Sequence, residues 1–144
     1  MALFPATVPA DGVSAENYLA TQLQSSTGTA APAAIANAAG VTYTAAQVLG
    51  RYIIRSGAAA VSDTLPTAAL LLAAMPNPIV GTGFLLDILN NNTGTLTLVA
   101  GAGITLAGNT TIATVFNRRY LVTVTNATVG AEAFTIQGLS TAAA

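Results

Sequence analysis

GFLLDILNNNTGTLTLVAGAGITLAGN, residues 83–109, is the stretch that decides the fold class. Residues 84–89 put Phe84, Leu86 and Ile88 on one face, the period of two that a half-buried strand needs. Asn90-Asn91-Asn92-Thr93-Gly94 then ends the run with residues that bond nearby backbone and tolerate turn conformations. Residues 95–99 alternate again, with Leu96 and Leu98 on one side and Thr95 and Thr97 on the other. Gly101 and Gly103 break this run, and residues 104–107 resume it with Ile104 and Leu106 sharing a face. Gly108-Asn109 reads as a tight turn.

The same grammar extends both ways. Downstream, residues 110–115, 119–125 and 133–136 read as strands, with Tyr120, Val122, Val124, Phe134 and Ile136 facing a core. Upstream, residues 51–55 form a short strand ending at Ser56-Gly57. Asp63 falls in an expected loop that leads into an apolar helical turn at 68–74. Thr64 is its expected cap, Pro66 lies in its first turn, and Pro76 and Pro78 stop it. About seven short strands at a spacing of roughly 8–12 residues indicate a mainly β chain, an antiparallel β-sandwich or jelly-roll-like barrel. Its Thr, Val and Ile content suits a pleated surface.

Residues 1–47 read differently. They are rich in Ala, Thr, Ser and Gly, with Pro5, Pro9 and Pro32. One short helix is expected at 14–23, where Ser14 caps, Glu16 meets the positive end of the helix dipole, and Tyr18, Leu19 and Leu23 share a face. Residues 25–39 are small and featureless. A segment so poor in large apolar groups cannot offset its own ordering entropy. The expected division is an extended N-terminal arm over 1–47, a β-sandwich domain over 48–139, and a frayed tail over 140–144. Leu3, Phe4, Val8, Tyr18, Leu19 and Leu23 are the arm's expected contacts with neighbouring subunits or a capsid.

Composition narrows the function. Of 144 residues, four are Arg, five are Asp or Glu, and none is Lys or His, so charged residues make up 6%. An ordinary domain is about a quarter charged. Hydrophobic residues make up 53%, and a chain with so little charge is prone to associate. A surface covered by other copies, or by a larger assembly, accounts for both figures. Arg51, Arg55, Arg118 and Arg119 cannot build a basic patch, which argues against nucleic-acid binding. The longest apolar run, residues 68–75, falls short of the roughly 20 residues of a spanning helix, so no membrane role is expected. The N-terminus lacks the basic and apolar regions of a secretion signal. The absence of Cys rules out disulfides and thiolate metal sites.

Chemistry is equally sparse. General-base catalysis by His and nucleophilic catalysis by Cys or Lys have no residue to use. Asp87 with Glu132 is a conceivable carboxylate pair, but isolated structural acids are the plainer reading. The Asn90–Asn92 cluster lacks the alternating acids of a Ca²⁺ loop. Gly101-Ala102-Gly103 lies between strands, so it is a turn or bulge and no phosphate cradle. The expectation is no enzyme, no cofactor and no metal. Asp87 interrupts an apolar strand on the side of Leu85 and Leu89, and a half-buried carboxylate needs a partner. Arg119, on the side of its strand away from Tyr120 and Val122, is the expected partner, with Arg118 the alternative, within or between subunits.

RSGAAAVSDTLPTAALLLAAMPNPIVGTGFLLDILNNNTGTLTLVAGAGITLAG, followed by RRYLVTVTNATVGAEAFTIQG, resembles a module of tailed double-stranded DNA bacteriophage virion proteins. The markers are DTLPTAA before the helical turn, MPNPIVGTGF entering a strand, and the double turn NNNTGTLTLVAGAGITLAG. The resemblance spans residues 55–138 and leaves the arm outside. It implies a structural virion protein of β-sandwich type, made in the host cytoplasm and carried on the phage head. A head decoration (cement) protein fits the size, and such proteins are commonly trimers on the capsid lattice. The implied partners are copies of itself and the major capsid protein. Because the module also occurs in longer virion proteins, a tail fibre, spike or receptor-binding module is the alternative.

Overall fold

A computed structural model describes residues 31–139, which belong to one compact unit beginning at Ala31. Among them are nine strands and two short helices. In chain order these are β1 (Ala33–Ala36), α1 (Ala45–Leu49), β2 (Tyr52–Ser56), β3 (Val61–Thr64), α2 (Ala68–Ala74), β4 (Gly83–Asn90), β5 (Leu96–Val99), β6 (Ile104–Ala107), β7 (Thr111–Ile112), β8 (Phe116–Asn126) and β9 (Ala133–Gly138). The chain is mainly β, and two sheets share one core in the manner of a sandwich. One sheet has six strands in the order β1-β2-β4-β8-β9-β6, and the other has three, β3-β5-β7.

Pairing is mixed, where the spacing of turns suggested antiparallel pairing throughout. β1·β2, β2·β4, β3·β5 and β6·β9 are parallel. β4·β8, β5·β7 and β8·β9 are antiparallel. The cause is that from β2 to β8 successive strands alternate between the two sheets. A strand therefore pairs with one that comes later in the chain, and the elements in between (a helix for β1·β2, a strand and a helix for β2·β4 and β3·β5, two strands for β6·β9) supply the long crossover that parallel pairing requires. The Gly/Asn turns read from sequence are real, but they carry the chain from one sheet to the other instead of closing hairpins.

The core lies between the sheets. Phe84, Leu86, Ile88, Leu96, Leu98, Ile104, Tyr120, Val122, Val124, Phe134 and Ile136 are all buried, as their strand phases predict. Leu106 differs: it sits on the edge strand β6, half-buried and packed against the core's margin. α2 spans the residues expected of it, but Thr67 is its cap, with the side chain accepting from Leu70 N–H. Thr64 instead ends β3, and Pro66 precedes the cap. β7 stops at Ile112, short of the expected 115, because Val115 turns to φ 57 and Phe116 N–H closes a turn on the Ala113 carbonyl. Gly101 packs against the carbonyls of Leu65 and Pro66 so closely that no Cβ fits. The turn between β5 and β6 thereby seats the start of α2.

The boundary expected at residue 47 does not hold in the structure. β1 adds a strand to the larger sheet, and Tyr43 and Val48 are core residues. The small-residue run contains a strand because Ala33-Ala34-Ile35-Ala36 borrows its hydrogen bonds from β2 and needs little side-chain burial of its own. The expected contacts Leu3, Phe4, Val8, Tyr18, Leu19 and Leu23, the helix at 14–23 and the tail at 140–144 lie outside the described residues.

Candidate functional site

Among the described residues, the pairs Asp87–Arg119 and Arg55–Asp63 differ in kind. Asp87 and Arg119 are direct cross-strand partners on β4 and β8. Strand alternation points both away from the core, and the structure brings them together in a fork. Arg119 Nε donates to Asp87 Oδ1 at 2.9 Å, and Nη2 donates to Oδ2 at 3.0 Å. This pairing raises the Arg119 pKa from its ordinary value, chiefly through the hydrogen bond. Arg118 points the other way, beside Ile88, and makes no pair with Asp87.

The surroundings of this pair are its most telling feature. The outward residues of the six-stranded sheet run in rows across the strands. One row holds Ala34, Ile54, Leu89 and Asn117, and another holds Leu85, Leu121, Gln137 and Ala107. The Asp87–Arg119 fork lies between these rows. Thr123, Thr135 and Thr105 form the next row. Leu85 is 42% exposed and Leu121 37%. Among the described residues, Asp87 and Arg119 are the only charges on the outward positions of this sheet. A sheet face normally left to solvent reads as polar-out against hydrophobic-in. This one is apolar and hydroxyl-bearing, with Asn117 and Gln137 as its side-chain amides.

The second pair, Arg55 with Asp63, is buried completely, and sequence reasoning missed it. Arg55 projects inward from β2 and Asp63 from β3, so the pair ties one sheet to the other. Arg55 Nε donates to Asp63 Oδ2 at 2.7 Å. Its Nη1 donates to the carbonyls of Asn37 and Ser56, and Nη2 to the carbonyl of Ala39 and to Asp63 Oδ1. Asp63 also accepts from Val41 N–H and from the Tyr43 hydroxyl. Every guanidinium N–H therefore has an acceptor, the condition under which a buried pair is tolerated. Burial and the hydrogen bond to Asp63 push the Tyr43 hydroxyl pKa well upward. A usable signal existed: Arg55 follows Ile53 by two residues and Asp63 precedes Leu65 by two. Both charges sit at core-facing positions of short strands, with opposite signs.

The Asn cluster works on the backbone. Asn90 is buried at the end of β4, and its amide donates to the carbonyls of Gly94, Ile112 and Ala113. Asn92 Oδ1 accepts from Ala58 N–H. Glu132 Oε1 accepts from Gly130 N–H within its own turn, away from the fork that holds Asp87. Among the described residues, no three His, Cys, Asp or Glu gather as metal ligands, and no helix is long and apolar enough to cross a membrane. Arg55 with Asp63, and Asn90 with the Ile112 carbonyl, bridge the two sheets. The chain matches no protein-family model, no curated protein and no solved structure.

Proposed function

We propose that this chain is a structural virion subunit, a decoration protein that seats on a bacteriophage head and reinforces it through contacts with its own copies and the major capsid protein. The observation that carries this reading is the broad outer face of the six-stranded sheet, nearly free of charge on a chain that is only 6% charged overall. Such a face belongs to an assembled state. Packaged DNA strains the junctions between capsomers, and a subunit bridging them adds contacts that must break before the shell opens. Many modest contacts repeated over a symmetric lattice give high avidity. The resemblance of residues 55–138 to phage virion modules points the same way. The reading assigns no catalysis and no cofactor.

A tail-fibre or receptor-binding role draws on a different observation. Val115 and Phe116 stand exposed at a turn where Val115 holds a left-handed conformation. β-branched residues seldom adopt that conformation, and such strain gathers at functional sites. Counting copies in purified virions separates the readings. Hundreds of copies at lattice positions on the head support decoration. A few copies at the tail tip support the fibre reading, and none in the particle overturns both.

A further inference from the structure

We propose that the outer face of the six-stranded sheet pairs with the same face of a second copy, about a two-fold axis running between β4 and β8 along the strands. The inference rests on the reading of the chain as self-associating, and it replaces the implied trimer with an even-numbered assembly built on this contact.

Three observations choose a second copy as the occupant. The first is charge. The face carries one acid and one base, Asp87 and Arg119, side by side at the same level of neighbouring strands. A two-fold axis between those strands lays β4 of one copy over β8 of the other. Asp87 then meets the partner's Arg119, and both charges find an opposite in each copy. A partner of uniform charge attracts one of them and repels the other.

The second is apolar register. The same axis lays Leu85 over Leu121 of the other copy, because these two are also cross-strand partners at one level. At this level the patch is thus self-complementary, as an isologous contact requires. Few charges and an apolar centre also match the core of a protein interface.

The third is area. Six strands about 4.8 Å apart, rising about 3.4 Å per residue, give a face roughly 24 Å by 20 Å. Two such faces cover about 1,000 Å² together, the small end of biological interfaces. An axis along the strands keeps the strands of the two copies aligned, within the range of aligned sheet packing.

The test uses the full chain and measures mass by sedimentation. The wild-type chain is expected at an even multiple of 14.3 kDa at micromolar concentration. Leu121→Lys is expected to fall to a single-chain mass with its circular dichroism unchanged. Val129→Lys, at a 90% exposed turn position off the face, keeps the wild-type mass. Because the chain has no Cys, single-cysteine variants supply a second reading that does not depend on Leu121→Lys folding. Leu85→Cys mixed with Leu121→Cys, each tagged to a different size, is expected to yield an oxidised heterodimer, whereas Val129→Cys mixed with Leu121→Cys yields none. An unchanged mass in a folded Leu121→Lys, or no cross-link from the first mixture, overturns the face while leaving self-association standing. A monomeric wild-type chain overturns both.

Discussion

At the scale of single residues, Asp63 carries more of the account than any other side chain. It touches the guanidinium of Arg55, the Tyr43 hydroxyl and the Val41 amide, and it is fully buried. Asp63→Ala leaves Arg55 charged and buried without its counter-ion. A loss of about 3–5 kcal/mol is expected in urea denaturation, against the small cost that a loop position implies. For comparison, Val122→Ala, a cavity in the middle of the core, is expected to cost about 2–4 kcal/mol. The pair Arg55→Met with Asp63→Leu is not expected to restore stability, because Val41 N–H and the Asn37 and Ala39 carbonyls lose their partners too. Tyrosines set the pH dependence. Burial, first of all, raises the pKa of both Tyr43 and Tyr120. Their contribution is therefore complete below about pH 10, where an unfolded tyrosine ionises. Above that pH the unfolded chain releases protons that the folded one keeps. Stability should fall by about 1.4 kcal/mol per pH unit for each tyrosine. Denaturation midpoints between pH 8 and pH 11 check this, and a flat profile contradicts it.

At the scale of elements, strand phase was legible and strand partnership was not. The alternation of Phe84, Leu86 and Ile88, and of Tyr120, Val122 and Val124, names the inward face without reference to neighbours, because side-chain direction is local. It also put Asp87 and Arg119 on outward positions, so the exposed fork could be anticipated. Pairing depends on where the chain goes between strands, and a Gly/Asn turn looks the same whether it closes a hairpin or crosses to another sheet. β1 was hidden for a related reason: four small residues become a strand only because β2 offers them an edge. The clamp of Arg55 and Asp63 was hidden because two opposite charges in core phase become a pair only when the topology stacks β2 over β3. The boundary drawn at residue 47 changes an experiment accordingly. Deleting residues 1–40 removes β1 and two of the carbonyls that hold Arg55, so the shortened chain is expected to lose its cooperative thermal transition. Deleting residues 1–30 leaves these contacts in place and should preserve that transition. Equal melting of the two truncations, followed by circular dichroism, would remove β1 and its clamp from the structural account.

At the scale of the whole molecule, the described residues combine a buried, fully bonded Arg55–Asp63 pair with an outer face that carries little charge. The buried pair joins the two sheets, and the exterior of the larger sheet keeps one ion pair amid leucines, threonines and uncharged polar residues such as Asn117 and Gln137. Those features make physical sense together if the working state is an assembly in which that face is covered. The proposed place of that assembly is the phage head, where a lattice multiplies weak contacts. Self-association is the claim on which the rest depends. Sedimentation equilibrium of the full wild-type chain from low to high micromolar concentration tests it most directly. The account predicts a mass above one chain throughout the micromolar range, an even multiple of 14.3 kDa when the outer faces pair. A single, soluble 14.3 kDa species across that range would contradict it.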